Sequence, residues 1–125
     1  MSGALRHVDP AAIARDLSRI VRVPSITGAE RAVATEIVTI AREQGLDAQL
    51  AEFDLAALRA APGYPGEEAP RTELVGAIVT LPGRDPAAPR LALNGHIDVV
   101  APGTERWQRD PWSGAIEDGC VHGRG

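Results

Sequence analysis

The spacing of apolar residues changes along this chain of 125 residues, and the change restricts the fold class. Before Gly45 the apolar residues recur every three or four positions, as on one face of an α-helix. After Gly45 they come in short continuous runs, the longest from Val75 to Leu81, which is typical of buried strands. Helices followed by strands, some apolar throughout, predict an α/β layered fold with an incomplete sheet.

Two helices are predicted in the first 45 residues. The first begins at Asp9-Pro10, because Asp accepts an unpaired amide hydrogen and Pro suits the first helical position, and Pro24 ends it. The second follows a capping box formed by Thr27 and Glu30 and ends at Gly45. Their predicted apolar faces are Ile13, Leu17, Ile20 and Val21 in the first helix and Val33, Ile37, Ile40 and Ala41 in the second.

Beyond Gly45, short regular segments alternate with loops whose Pro and Gly residues exclude regular structure. The predicted segments are a strand at Ala48–Phe53, a helical turn at Leu55–Ala61, the Val75–Leu81 strand, a strand at Leu91–Leu93 that continues through Val100, and a hairpin around Glu117-Asp118-Gly119. We see no repeat and no linker, and the length suits one core rather than two full domains.

Composition excludes several classes of function. The net charge of −4 argues against a general nucleic-acid binder, which needs a basic surface. Cys120 is the single cysteine, so no intrachain disulfide forms, as expected in a reducing compartment. The N-terminus lacks a signal-peptide pattern and the longest apolar run is too short to span a bilayer. We therefore expect a cytoplasmic protein without a membrane partner.

The residues most suggestive of chemistry are His96-Ile97-Asp98, at the end of the predicted strand after Leu93. Because strand side chains alternate, His96 and Asp98 are expected on one face. Imidazole is a common metal ligand, and its other ring nitrogen needs an acceptor that Asp98 could supply. The pattern alone is weak, since it also occurs in surface salt bridges and in structural histidines. One His and one Asp cannot complete a zinc site, so further ligands must come from elsewhere.

The surrounding sequence strengthens the metal hypothesis. The stretch Leu93–Val100 resembles the first metal motif of the zinc-dependent amidohydrolase and peptidase family of acetylornithine deacetylase, succinyl-diaminopimelate desuccinylase, aminoacylase and carboxypeptidase G. Further motifs of that family occur in order along nearly the whole chain. They are Val23-Pro24-Ser25 with Gly28 and Glu30, Pro62-Gly63-Tyr64, Trp107 with Asp110-Pro111-Trp112, and Asp118-Gly119 with Gly123-Arg124-Gly125.

The resemblance implies a fold, a reaction and two site residues. The fold is a three-layer α/β/α catalytic domain, of which residues 1–125 form the N-terminal part without the lid or dimerisation domain; a homodimer is one option for the complete enzyme. The reaction is cleavage of an amide in a small-molecule substrate, with a pair of divalent ions, Zn²⁺ or alternatively Co²⁺, that activates water. His96 is implied as the ligand of one ion, and Asp98 as the catalytic carboxylate that orients it.

The resemblance also implies what lies beyond Gly125. The bridging carboxylate, the general-base Glu and the second His are expected there, so we expect the isolated chain to be inactive and to bind zinc weakly. Pro62-Gly63-Tyr64 and Asn94-Gly95-His96 favour the deacylase branch over the peptidase branch. The alternative is a truncated α/β module with a binding role or no independent role. A Rossmann unit is disfavoured because the Gly-rich turn from strand to helix is missing.

Overall fold

The computed structural model describes residues 7–125, which form a mixture of helices and strands. The elements in chain order are α1 (Pro10–Val21), α2 (Arg31–Glu43), β1 (Asp47–Phe53), α3 (Leu55–Ala60), β2 (Leu74–Thr80), β3 (Ala115–Glu117) and β4 (Cys120–His122). They belong to two compact units, one spanning Pro24–Ala101 and the other combining the described residues up to Val23 with Pro102–Gly125. No helix within residues 7–125 has the length and apolarity needed to cross a membrane.

The larger unit, Pro24–Ala101, is built from an antiparallel ribbon and a helix. Strands β1 and β2 pair from Asp47 opposite Thr80 to Phe53 opposite Leu74, and α2 packs against both. The buried apolar residues of this unit are small or aliphatic: Val33, Ala34, Val38, Ile40, Ala41, Ala48, Leu55 and Val75. The predicted apolar face of the second helix is thus confirmed at Val33, Ile40 and Ala41.

Helix α2 ends where the sequence predicts. Gly45 has φ of +77°, a conformation that L residues with a side chain rarely adopt. Its amide donates to the Arg42 carbonyl at 2.9 Å, and the Leu46 amide donates to the Ala41 carbonyl at 3.0 Å. These bonds satisfy carbonyls at the helix C-terminus and turn the chain towards β1.

The predicted capping box at the start of α2 is wrong. The residue that precedes the helix is Glu30, and no side chain caps the first amides of the helix. The Glu30 carboxylate instead accepts the Gly28 amide at 2.7 Å, and the Thr27 hydroxyl donates to Asp98. The reason is that Thr27 lies in the turn that follows the bridge between Ile26 and Val99, four residues before the helix begins.

The predicted strand from Leu91 through Val100 is also wrong. Of these residues, only Val99 makes a bridge, in parallel with Ile26, and Leu93 is 89% exposed. A strand needs a neighbour along its length to satisfy its amides and carbonyls. Among the described residues, the 91–100 segment has such a neighbour only at Val99. The other apolar run does form a strand, β2, but Ile78 and Val79 near its end are partly exposed.

The smaller unit joins α1 to the hairpin β3–β4. Helix α1 has the predicted start, because the Asp9 carboxylate accepts the Ala11 amide at 2.9 Å. Ser18 on α1 donates to the Gly114 carbonyl at 2.5 Å, and a side chain at Gly114 would collide with the Ser18 carbonyl. Part of the predicted apolar face of α1 stays outside the core, since Ile13 is 55% exposed.

The predicted hairpin is confirmed with its turn. Strands β3 and β4 pair from Ala115 opposite His122 to Glu117 opposite Cys120. The two turn residues, Asp118 and Gly119, have φ of 50° and 76°. Positive φ at both central positions matches the twist of the flanking strands, and Asp-Gly tolerates it.

Replacing Ile40 with Ala should lower the free energy of unfolding by about 2–5 kcal/mol, because it removes a buried side chain of α2 and leaves a cavity. Replacing half-exposed Ile13 with Ala provides the control, with an expected loss below about 1 kcal/mol. Urea denaturation followed by circular dichroism measures both. Equal losses in the two variants would contradict the placement of the core on α2.

Candidate functional site

The segment that carries His96 and Asp98 is attached to the loop before α2 by two backbone hydrogen bonds. The Val99 amide donates to the Ser25 carbonyl at 2.9 Å, and the Thr27 amide donates to the Val99 carbonyl at 3.2 Å. This short parallel bridge brings residue 98 beside residue 27, although 71 positions separate them in the chain. The backbone therefore places Thr27 next to the predicted site.

His96 and Asp98 meet as the sequence predicts, although the segment is not a strand. His96 Nδ1 lies 2.9 Å from the Asp98 main-chain oxygen and 3.3 Å from Asp98 Oδ1. Both neighbours of Nδ1 are acceptors, so the neutral ring carries its proton there and Nε2 keeps its lone pair. The imidazole is 84% exposed, which leaves Nε2 accessible to a metal ion.

The Asp98 carboxylate is held from two sides. The Thr27 hydroxyl donates to Oδ2 at 2.7 Å, while Oδ1 faces His96. The hydrogen bond from Thr27 is the main cause that lowers the pKa of Asp98, burial opposes it, and the hydrogen bond with His96 adds to the lowering. Asp98 is therefore an anion at neutral pH, as a carboxylate that orients an imidazole should be.

A cavity of about 290 Å³ adjoins Asp98 in the larger unit. Its walls come from α3, the loop that follows it, the first residue of β2 and the Thr27–Asp98 pair. The lining residues are Thr27, Leu55, Leu58, Tyr64, Gly66, Glu67, Glu68, Arg71, Leu74 and Asp98. The lining combines apolar side chains with charged and polar ones, as in many small-molecule pockets, and the volume is at the small end of their range.

Ion pairing fixes the loop that forms one wall of the cavity. Arg59 on α3 donates from Nε and Nη2 to the two carboxylate oxygens of Glu67 at 2.6 and 3.0 Å. The Tyr64 hydroxyl donates to the same carboxylate at 2.8 Å, and Arg59 also donates to the Arg71 carbonyl at 3.1 Å. A segment rich in Pro and Gly is thereby held against α3 without regular structure.

The donor set supports one metal-ligand position. His96 offers an exposed Nε2 on a ring whose other nitrogen is held by Asp98. Zinc sites need at least three protein ligands, and the part of the chain that the structure describes contains no group of three His, Cys, Asp or Glu residues able to hold an ion. Residues 7–125 thus fit one ligand and its orienting carboxylate, and do not complete a metal site by themselves.

Sequence reasoning missed Thr27 as a site residue. Its spacing to Glu30 indicated a helix cap, and nothing in a single sequence links position 27 to position 98. The tryptophans noted in the sequence lie in the smaller unit, where Trp107 is half-buried and its indole nitrogen donates to the Pro102 carbonyl at 3.0 Å. Cys120 is exposed on β4.

Comparison with curated proteins finds relatives, and three of them share one name. Succinyl-diaminopimelate desuccinylase of Methylobacterium radiotolerans is 32% identical over 119 residues, which are 95% of this chain and 26% of that protein. The protein of the same name from Methylobacterium nodulans is 35% identical over 107 residues, 85% of this chain and 23% of the relative. That from Gluconacetobacter diazotrophicus is 33% identical over 127 residues, 100% of this chain and 28% of the relative.

The chain therefore spans about a quarter of the length of the curated relatives it matches. No family model and no solved structure matches it.

Replacing Arg59 with Ala should raise the pKa of Glu67 from about 2 towards its usual value of 4.5, because Arg59 is the main cause of the lowering and Tyr64 the next. The lowered pKa stabilises the fold above pH 4.5, and this contribution is lost as the pH falls towards 2. The variant should therefore lose stability at neutral pH but differ less from the original chain in acid.

Carboxyl NMR titration of Glu67 measures the pKa, and thermal unfolding at several pH values measures the stability. Arg84→Ala in an exposed loop is the control. An unchanged Glu67 titration in the Arg59 variant would show that the ion pair does not hold this loop.

Proposed function

We propose a function from the premise that this chain belongs to the zinc-dependent amidohydrolase and peptidase family that contains succinyl-diaminopimelate desuccinylase. The chain is part of a metal-dependent hydrolase that cleaves the amide bond of a small N-acyl amino acid. The relatives are named as desuccinylases, which favours the deacylase branch and makes N-succinyl amino acids the first substrates to test.

The observation that carries this proposal is the arrangement of His96 and Asp98. Asp98 holds Nδ1 through its main-chain oxygen and Oδ1, and the exposed ring presents Nε2 outward. An imidazole held in this way by a carboxylate is a common preparation for metal ligation, because the acceptor sets the tautomer and raises the basicity of the free nitrogen.

Two chain residues then have distinct roles. His96 would hold one ion of a pair, Zn²⁺ or alternatively Co²⁺, and Asp98 would keep the ring oriented and its proton on Nδ1. Such ions would supply, when bound, polarisation of the amide carbonyl and a water whose pKa is lowered towards neutral. The cavity beside Asp98 is of a size that suits part of a small molecule, which supports a small amide as substrate.

The remaining features of the enzyme are part of the same proposal. We assign residues 1–125 to the N-terminal part of a three-layer α/β/α catalytic domain, with the lid or dimerisation domain and the other metal ligands elsewhere in the complete protein. The ratio of this chain's length to that of its relatives supports the assignment. A cytoplasmic location is inferred from the single, exposed cysteine.

In the complete enzyme, His96→Ala should remove one metal ion and nearly all turnover, because the ion would lose its imidazole ligand. Asp98→Ala should weaken metal binding by roughly 10–100-fold, as loss of a carboxylate behind a ligating histidine does. Metal content by atomic emission and hydrolysis of N-succinyl amino acids measure these effects. His7→Ala, at an exposed position before α1, is the control, and full activity of the His96 variant would refute its role.

The 125-residue chain alone should bind Zn²⁺ weakly and should hydrolyse no N-acyl amino acid, because its described residues contain no group of three His, Cys, Asp or Glu side chains able to hold an ion. Isothermal calorimetry with Zn²⁺ measures the affinity and the number of ions per chain. Tight binding of more than one ion would contradict the proposed division of ligands.

A further inference from the structure

We propose that Thr27 is a positioning residue for the His96–Asp98 pair, which acts by fixing the rotation of the Asp98 carboxylate. The proposal rests on the proposed function in one respect, because it takes His96 as a metal ligand. It adds a residue that lies outside the His-x-Asp motif and that acts through Asp98 rather than as a metal ligand.

The two carboxylate oxygens of Asp98 have different partners. Oδ2 accepts the Thr27 hydroxyl at 2.7 Å, and Oδ1 lies 3.3 Å from His96 Nδ1. A carboxylate without the first bond rotates freely about its terminal torsion, which has no sharp preference. The Thr27 hydroxyl therefore keeps Oδ1 directed at the imidazole. This matters because the ring itself is 84% exposed and has few packing contacts to hold it.

Thr27 is held in place by its own backbone. Its amide donates to the Val99 carbonyl, so the backbone of Thr27 is tied to the residue that follows Asp98. The side chain is branched at Cβ, which restricts its rotamers and directs the hydroxyl. The donor and its acceptor are thus held by the same short bridge.

The turn after Thr27 packs closely against the segment around Pro70. Gly28 has φ of +96°, and a Cβ there would lie 2.8 Å from the Pro70 carbonyl oxygen. The Gly28 amide donates to Glu30 Oε1, which also pairs with Arg71 at 3.4 Å. The side chains of Glu30 and Arg71 are only 6% and 15% exposed, so this anchor is largely shielded from water. Thr27 is therefore fixed on both sides.

Thr27 does not cap a helix, which would be the ordinary structural role of a threonine at this position. A Thr three residues before a Glu usually caps a helix, but α2 begins after Glu30 and has no side-chain cap. The Thr27 hydroxyl is used on Asp98 instead. Removing it should therefore affect the site more than the helix.

The test compares five variants of the complete enzyme with the original, and one of them is Asp98→Ala alone as the reference for the double variant. Thr27→Val removes the hydroxyl and keeps the branched shape, whereas Thr27→Ser keeps a hydroxyl. Thr35→Val is the matched control, because Thr35 donates to the Arg31 carbonyl at 2.8 Å on the exposed side of α2, away from the site. Asp98→Ala combined with Thr27→Val asks whether Thr27 acts through Asp98.

Three quantities are measured: the affinity for Co²⁺ from its visible absorption, kcat and KM for an N-succinyl amino acid, and the thermal midpoint of the metal-free protein. Thr27→Val should weaken Co²⁺ binding or lower kcat by roughly 10–100-fold, the range for residues behind a metal ligand, with little change in KM. Thr27→Ser should recover most of the loss. Thr35→Val should match the original, and Thr27→Val should add nothing to Asp98→Ala.

Several outcomes would overturn the proposal. Original Co²⁺ affinity and kcat in Thr27→Val would do so, as would an equal loss in Thr27→Ser, or additive losses in the double variant. If Thr27→Val does not fold, Thr27→Ala is measured instead, alone and combined with Asp98→Ala. Additive losses in that double variant would overturn the proposal, because a hydroxyl that acts through Asp98 has no effect once the carboxylate is gone.

Failure of the proposed function gives a different pattern. If the original protein binds Co²⁺ but cleaves no amide, the hydrolase assignment fails, while a weaker Co²⁺ affinity in Thr27→Val still supports the positioning role. If the original binds no Co²⁺, both fail together. If it cleaves the amide and Thr27→Val is indistinguishable from it, only the role of Thr27 is lost.

Discussion

Two hydrogen bonds between the loop before α2 and Val99 hold the candidate site together. They join Ser25 and Thr27 to Val99, more than seventy positions away in the sequence. Within residues 7–125, this bridge is the strand-like pairing that the segment around Asp98 makes. Because Asp98 precedes Val99, the bridge sets where the carboxylate lies, and the carboxylate in turn holds His96. An exposed imidazole on an otherwise irregular segment thereby gains a defined orientation.

The larger unit supports this bridge with modest means. Its core is made of aliphatic and small side chains from α2 and the β1–β2 ribbon, with no aromatic residue among the buried ones in residues 7–125. The loop after α3 has no regular structure, yet Arg59, Glu67 and Tyr64 tie it to that helix beside Asp98. Polar contacts rather than apolar burial thus shape the surroundings of the proposed metal ligand, where charge has to be accommodated.

Local signals predicted local structure well. Asp9-Pro10, Gly45 and Asp118-Gly119 each act on neighbouring backbone, so the start of α1, the end of α2 and the hairpin turn follow directly from the residue types. The pairing of His96 with Asp98 was predictable for the same reason, since two positions separate them. The three-layer domain and the metal pair, by contrast, are implied by the resemblance and stay predictions.

The errors occurred where a residue's partner is distant in the sequence. Leu91–Val100 has the composition of a buried strand, but a strand forms only where another supplies its hydrogen bonds, and apolar periodicity contains no information about that neighbour. Thr27 matched a local capping pattern, yet its hydroxyl is used by Asp98. A pattern read from one sequence cannot weigh a local partner against a distant one.

The most direct measurement of the central claim is hydrogen exchange of the Thr27 and Val99 amides, followed by NMR. Both donate across the bridge, at 3.2 and 2.9 Å, so both should exchange on the order of tenfold or more slowly than the amide of exposed Leu93. Exchange of Thr27 and Val99 at the rate of Leu93 would contradict the account, because the bridge that aligns Thr27, Asp98 and His96 would then not be formed.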